Sequence, residues 1–174
     1  MNKKLSLFGG TALSACVLLA ATALPANAAA GDTDTTFVVA AGALSVSVAA
    51  TADLGTVATG ASTISGSLGD VDVTDARGGV LGWTTSASST VFSRTGGGTT
   101  STAVSYNSGA VTKTGTVTTA STGATPLTAV AAPVVAGTLV TGNNTANWKP
   151  TLTVTLPANA LAGTYTGTVN TSVS

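Results

Sequence analysis

The fold of this chain is decided by the segment Val71-Asp-Val-Thr-Asp75-Ala-Arg77-Gly-Gly-Val-Leu-Gly82-Trp83. It holds three charged side chains, a Gly-Gly pair and one of the two tryptophans of the chain. Only 7% of all residues are charged, and the surrounding sequence is rich in Thr, Ala, Gly and Val. A compact group of charged and aromatic residues in such a background marks where the fold, the function or both are specified.

Outward from this segment, apolar residues alternate with Thr and Ser along much of the chain. The clearest alternating stretches are Leu44–Val48, 71–73, 111–117, 152–156 and 165–169. Alternation between Gly- and Asn-rich breaks predicts β-strands, of which we expect roughly eight to ten. We therefore expect an all-β, antiparallel β-sandwich, immunoglobulin-like in general architecture. Because Lys is scarce, we also expect poorly protected sheet edges.

The N-terminal 28 residues have the pattern of an export signal. Two lysines precede an apolar stretch over 5–24, and Pro25-Ala-Asn-Ala28 supplies the small residues that signal peptidase requires. We expect cleavage after Ala28, with Ala30 as the neighbouring alternative. Residues 29–174 are then a single secreted domain with no membrane insertion after signal cleavage.

The only cysteine, Cys16, lies inside this predicted signal. The sequence Leu13-Ser-Ala-Cys16 has the form of a lipoprotein processing site, so lipidation is an alternative fate. The apolar Val17-Leu-Leu-Ala-Ala21 that follows argues against it, since a lipoprotein usually continues with a polar tether. Cleavage after Ala28 would leave no cysteine and no intramolecular disulfide.

Charge and composition exclude several function classes. The chain after the signal carries four basic and six acidic residues, a net charge of −2, so we expect no nucleic-acid partner. All six acids are Asp, and the sequence contains no Glu and no His. A Ser-His-Asp triad, a Cys-His pair and the common zinc sites are therefore impossible. We expect a protein that is not an enzyme and needs no cofactor.

The charged residues around the opening segment allow two interpretations. Asp70, Asp72 and Asp75 form a D-x-D-x-x-D run, and three converging carboxylates would suit Ca²⁺. Alternatively the run is a solvated strand face, with Asp75 paired to Arg77 to fix the turn before Gly78. The second interpretation is favoured because the sequence has no second acidic cluster, so we expect no metal site.

Trp83 and Trp148 are the only tryptophans. Each is expected at the start of a strand, after a loop rich in Gly or Asn. One or both could stack on a sugar ring, which makes both residues candidate ligand-binding residues. Alternatively both anchor the core of a sandwich that is short of large side chains, at roughly 25 cal/mol per Å² of buried apolar surface.

Near the C-terminus, the segment 156–167 is predicted to form a strand, a tight connection and a second strand. Pro157 ends the first strand because it lacks an N–H donor, and Gly163 allows the turn. We expect the hydroxyl of Tyr165 to tie this loop, as in a tyrosine corner.

The block 71–83 resembles the first motif, V-x-D-x-R-G-x-x-x-G-W, of the WxL-domain surface proteins of Gram-positive bacteria. The segment from Asn147 to Pro157, followed by Ala162-Gly-Thr-Tyr165, resembles the second, C-terminal motif of that family. The motif positions present here are Asp75, Arg77, Gly78, Gly82, Trp83, Trp148 and Tyr165. Neither tryptophan has Leu two positions later, because Thr85 and Pro150 stand there, so the chain resembles a divergent member.

This resemblance implies an exported protein that attaches non-covalently to the cell wall or cell surface. The implied ligand is peptidoglycan or another cell-wall glycan. The alternative is a structural or adhesive subunit whose partners are other surface proteins, bound by strand addition at a sheet edge.

Overall fold

The computed structural model describes residues 31–174, so the predicted signal peptide and Cys16 lie outside the described residues. Residues 31–38 are exposed, have no secondary structure and belong to a separate unit from residues 39–174. No helix within 31–174 is long and apolar enough to cross a membrane.

The described residues form twelve strands, and the predicted all-β class is confirmed. The strands are β1 (Leu44–Val48), β2 (Thr63–Ser67), β3 (Val71–Asp75), β4 (Trp83–Ser89), β5 (Ser93–Arg94), β6 (Ala103–Asn107), β7 (Thr112–Ser121), β8 (Ala124–Leu127), β9 (Ala132–Trp148), β10 (Thr151–Thr155), β11 (Tyr165–Thr166) and β12 (Val169–Val173). The stretch 165–169, predicted as one strand, is divided because β11 pairs with β5 whereas β12 pairs with β4.

The strands assemble into two larger antiparallel sheets that pack together as a sandwich-like fold. The first sheet has the order β1-β3-β9-β4-β12, with β7 on the other side of β9, and is nearly closed. The second has the order β2-β10-β6-β8, and β5 and β11 form a separate small pair. The central position of β9 makes it the strand that organises the first sheet.

Strand β9 has 17 residues and uses its two halves for two different partners. Its C-terminal end pairs with β3, where Asp75 lies opposite Asn144, and its N-terminal end pairs with β4, where Trp83 lies opposite Gly137. On its other side β9 pairs with β7 along most of its length. Residues 76–82 connect β3 to β4, and both of these strands pair with β9. We call this connection the interruption.

The prediction of a loop over 142–147 before Trp148 is wrong, because these residues lie inside β9 and Trp148 ends that strand. Gly and Asn favour turns locally. Here, however, residues 144–147 have ladder partners in both β3 and β7. Paired backbone groups on both sides outweigh the local preference, since a buried unpaired N–H or C=O is costly.

Two buried clusters form the core, and one hydrogen bond joins them. Trp148 of β9 belongs to the cluster with Val73 and Trp83, whereas Tyr106 of β6 belongs to the cluster with Leu152. The indole Nε1–H of Trp148 donates to the hydroxyl of Tyr106 at 2.8 Å, across the two sheets. Burial raises the pKa of Tyr106, and the hydrogen bond from Trp148 opposes that rise. Both sheets are therefore linked by a polar contact inside an apolar core.

The sheet edges are shaped by backbone irregularities, although Lys is scarce. The exposed edge strand β7 shows two register shifts against β9, one after Gly115 and one between Thr116 and Thr118. The edge strand β8 contains Pro126, which has no N–H to offer an incoming strand. Bulges and proline are both known to hinder edge-to-edge pairing. Two of the edge strands, β7 and β8, thus carry features other than Lys that hinder pairing.

We expect Tyr106→Phe to lower the free energy of unfolding by about 1–3 kcal/mol, because the buried indole N–H of Trp148 loses its acceptor. Urea unfolding followed by tryptophan fluorescence measures this loss. Tyr165→Phe is the control: its hydroxyl lies where water can replace the lost bond, so we expect a loss below about 1 kcal/mol. Equal losses in the two variants would contradict a linking role for the Trp148–Tyr106 bond.

Candidate functional site

The interruption 76–82 is closed by an ion pair that the sequence predicted. Asp75 is 2% exposed and accepts hydrogen bonds from Nε of Arg77 at 2.8 Å and from Nη2 at 3.0 Å. The same Nη2 donates to the carbonyls of Leu81 and Gly82. Gly78, with φ of +67°, provides the left-handed turn between these contacts. The pairing of Arg77 with Asp75 that the sequence predicted is present at this turn.

The surroundings of Asp75 keep its carboxylate charged. The side-chain hydrogen bond from Arg77 is the main cause that lowers the pKa of Asp75 to about 2, from an ordinary value of 3.8. The backbone N–H of Arg77 and the side-chain amide of Asn144 lower it further, whereas burial acts in the opposite direction. A buried charge is tolerated because it is paired and fully hydrogen-bonded.

Asn144 extends this ion pair to Trp83. Its Nδ2 donates to Asp75 at 3.2 Å, and its Oδ1 accepts the indole N–H of Trp83 at 3.0 Å. We call Arg77, Asp75, Asn144 and Trp83 the motif cluster. The two partners determine which way the Asn144 amide points. The cluster holds the end of β3, the start of β4 and the middle of β9 together.

The sequence interpretation did not identify Asn144. A signal was present, because Asn144, Ala146 and Trp148 follow one another at the two-residue spacing of one strand face, and all three are buried. The turn tendency of the Asn-rich segment concealed that spacing. A buried Asn on an inward face usually has specific partners, since an unpaired amide in a core is costly.

Trp83 lies directly on the backbone of β9. A Cβ at Gly137 would be 2.3 Å from Cε2 of the indole, so only glycine leaves room for the ring. A Cβ at Gly82 would be 2.6 Å from the carbonyl oxygen of Gly137. The motif glycine at 82 and the glycine at 137 therefore allow the close packing of Trp83.

The interpretation of the tryptophans as exposed sugar platforms is wrong. Trp83 is 2% exposed and Trp148 is 1% exposed, and both belong to the same buried cluster. Stacking on a sugar ring needs an accessible indole face, which neither residue offers. The alternative interpretation, that both anchor a core poor in large side chains, agrees with this burial.

The departures from the Trp-x-Leu pattern also lie in the core. Thr85 and Pro150 stand at the two Leu positions, and both are fully buried. Among the buried side-chain atoms of residues 31–174, the hydroxyl of Thr85 has no hydrogen-bond partner. Thr85 thus places a polar group where the family pattern has an apolar one, and these differences alter packing rather than the exposed surface.

The three aspartates of the D-x-D-x-x-D run have separate partners. Asp70 is exposed and pairs with Lys149 at 3.7 Å, while Asp72 accepts a hydrogen bond from Asn147 at 2.7 Å. Asp75 belongs to the motif cluster. No group of three or more His, Cys, Asp or Glu within 31–174 is placed to hold a metal ion. The structure therefore gives no support to the calcium interpretation of the run.

Tyr165 ties the C-terminal loop as predicted. Its hydroxyl donates to the carbonyl of Leu161 at 2.9 Å and shares a second hydrogen bond with the hydroxyl of Thr99. The ring itself is half-buried. This anchoring shapes one wall of a groove that the sequence did not reveal.

The groove runs between the loop after β1 and the loop after β10, with a volume of about 580 Å³. Apolar side chains form much of its wall, and polar groups come from Asp53, several threonines and the backbone. The two half-buried aromatic residues of the lining are Phe92 and Tyr165. The groove thus combines apolar side chains, two aromatic residues and a few polar groups on one concave surface.

We expect the stability of the wild-type protein to fall in acid because of Asp75. Its folded pKa lies below its unfolded value, so its contribution is complete above about pH 4 and is lost as the pH falls towards 2. We expect this component to be on the order of 1–2 kcal/mol and to be missing from Asp75→Asn. Urea unfolding between pH 2 and pH 7 measures it. Asp70→Asn, at an exposed ion pair, is the control and should keep the acid dependence.

We expect Thr85→Val to raise the free energy of unfolding by roughly 1 kcal/mol, because it removes a buried hydroxyl that has no partner. Thermal and urea unfolding measure the change. Thr84→Val is the matched control at the half-buried neighbour, where we expect less than about 0.5 kcal/mol. A loss of stability in Thr85→Val would show that the hydroxyl has a favourable interaction in solution.

Comparisons with known proteins neither support nor contradict the resemblance to the WxL-domain motifs. The chain matches no protein-family model, no curated protein and no solved structure. The roles of the motif cluster, the buried tryptophans and the groove therefore follow from their geometry alone.

Proposed function

We propose that this chain is a secreted surface protein, held non-covalently on the Gram-positive cell wall by its single folded domain. The ligand we propose is peptidoglycan or another cell-wall glycan. The proposal starts from the resemblance to the WxL-domain family. One structural observation carries it further: the two sequence blocks behind that resemblance meet inside the fold.

The contact between the blocks is specific. Val71, which begins the first block, lies directly opposite Trp148 of the second block in the β3–β9 ladder. Trp83, which ends the first block, shares a buried cluster with Trp148. Residues of a shared domain motif are expected to act together in this way although they are distant in sequence. The meeting of the blocks supports a WxL-like domain.

We place the wall ligand in the groove between the loops after β1 and β10. The buried tryptophans leave Phe92 and Tyr165 as the aromatic residues of the groove lining. An aromatic face can pack on the apolar side of a sugar, while hydroxyls and backbone groups bond its polar edge. The carboxylate of Asp53 also lines the groove. The groove thus offers the chemistry that was first expected of the tryptophans.

We also propose that the protein is not an enzyme and uses no cofactor. The sequence has no His and no Glu, so a carboxylate acid or base would have to come from its six Asp residues. The strongly shifted one, Asp75, is committed to Arg77 and Asn144 inside the core. A binding role needs none of this chemistry.

A structural or adhesive role is the second candidate function. It is favoured by the exposed apolar side chains of Val80 and Leu81, in the interruption that Arg77 closes. Such a role would need a protein partner rather than a glycan, and it is compatible with attachment to the wall.

We expect the purified exported chain to sediment with insoluble peptidoglycan, and Thr56→Trp to lower the bound fraction by about tenfold, since the new indole fills the groove. Thr56 lines the groove and is exposed, so the substitution leaves the core intact. Thr116→Trp, at an exposed position of β7, is the matched control and should bind like the wild type.

Absence of binding by the wild-type chain would overturn the proposed attachment to peptidoglycan. Equal binding of the wild type and Thr56→Trp to peptidoglycan would support attachment to the wall but exclude the groove as its site. Circular dichroism of each variant verifies that the fold is unchanged.

A further inference from the structure

Asp53 is the charged residue of the groove, because the lining residues within 31–174 include no other acid and no Lys or Arg. Oδ1 of Asp53 accepts a hydrogen bond from the N–H of Gly55 at 2.8 Å. The side chain is exposed and forms no ion pair with any residue of 31–174. The groove therefore has a negative charge that no cation of the described chain neutralises by direct contact.

The loop that carries Asp53 is held in place by its neighbours. Leu54 packs against the core cluster of Leu152, and a Cβ at Gly66 of β2 would be 2.7 Å from the Cα of Leu54. Gly55, with φ of +90°, makes the turn that brings its N–H to Asp53. Since the fold already sets the position of the carboxylate, binding a ligand there costs little ordering of the loop.

Arg94 contacts the other wall of the groove, the loop after β10, but does not line the groove. A Cβ at Gly163, which belongs to that wall, would be 2.8 Å from Nε of Arg94. The same Nε donates to the carbonyl of Ala162, and Nη1 donates to the carbonyl of Gly97, each at 2.9 Å. The two walls therefore differ, because the loop after β1 presents the carboxylate of Asp53 and the loop after β10 presents no charged side chain to the groove.

We infer that the groove binds an amino sugar, namely a glucosamine unit whose 2-amino group is free rather than acetylated. The inference rests on the proposed function, since it names the part of the wall glycan that occupies the groove. The ammonium group of this sugar has the charge that complements Asp53, and a charge-assisted hydrogen bond is about twice as strong as a neutral one. Clefts with apolar walls also concentrate the field of such a charge.

One sugar unit satisfies both features of the groove, because its amino group is attached directly to the ring. The apolar face of the ring packs on Phe92 or Tyr165 while the ammonium group bonds Asp53. N-acetylglucosamine keeps the ring but has no charge at this position, so it forms only the weaker, neutral hydrogen bond. The inference therefore predicts that the groove distinguishes the two sugars by charge.

Isothermal titration calorimetry of the exported chain with two soluble hexasaccharides tests this selectivity. One hexamer is built from glucosamine and the other from N-acetylglucosamine. We expect the glucosamine hexamer to bind at least about tenfold more tightly. Thr56→Trp, which fills the groove, should weaken that binding by about tenfold.

Asp53→Asn is the decisive variant, because it keeps an oxygen for the N–H of Gly55 and removes only the charge. We expect it to bind the two hexamers with affinities within about twofold of each other. Asp70→Asn is the matched control, since it removes the same charge from an exposed aspartate outside the groove. It should keep the preference of about tenfold for the glucosamine hexamer.

Equal binding of the two hexamers by the wild type, or binding of neither, would overturn the inference. So would a preference that Asp53→Asn retains, or one that Asp70→Asn loses as well. The inference would also fail if acetylating the free amines of peptidoglycan abolished sedimentation of a chain that shows no preference for glucosamine, because the amine would then belong to the peptide.

Sedimentation with peptidoglycan separates this inference from the proposed function. A chain that sediments with peptidoglycan but does not prefer glucosamine keeps the proposed attachment to the wall and loses the amino-sugar assignment. A chain that prefers the glucosamine hexamer but does not sediment with peptidoglycan keeps the assignment and loses the attachment.

Discussion

The carboxylate of Asp75 is buried where β3 ends, and a buried charge is stable only when every oxygen has a partner. Arg77 supplies the opposite charge and also bonds two carbonyls of the interruption. Asn144 donates a further hydrogen bond to Asp75 and accepts one from the indole N–H of Trp83. The position of Trp83 is therefore also tied to the carboxylate. The path of the chain from β3 to β4, and the pairing of both strands with β9, depend on this one satisfied carboxylate.

The rest of the core follows from a shortage of large side chains. Both tryptophans and Tyr106 are buried, so the largest side chains of the chain contribute to stability. The hydrogen bond between Trp148 and Tyr106 then joins the two clusters. The site that we propose for recognition is built from ordinary residues, in the groove beside Tyr165. The motif that first indicated a binding site is therefore part of the scaffold, and the contact that we propose with the wall lies in the groove instead.

The alternation of apolar and polar residues predicted the strands that have one covered and one solvated face, as in β1, β3 and β10. Local chemistry also predicted the pairing of Asp75 with Arg77 and the anchoring by Tyr165, because each contact joins residues two to four positions apart. The segment 142–147 was misjudged, since turn preference is local whereas β9 is held by neighbours on both sides. Asn144 and the groove were missed because their partners are distant in sequence.

By itself, the sequence determined the all-β class, the positions of several strands and the ion pair that closes the interruption. These features depend on two-residue periodicity and on contacts between near neighbours, which a single sequence displays. Only the tertiary structure decided that Trp83 and Trp148 are buried while Val80, Leu81 and Leu139 are exposed. The reason is physical: the exposure of a side chain depends on which distant segment covers it, and Trp83 is covered by Gly137 and Asn144 of a strand that begins 49 residues later.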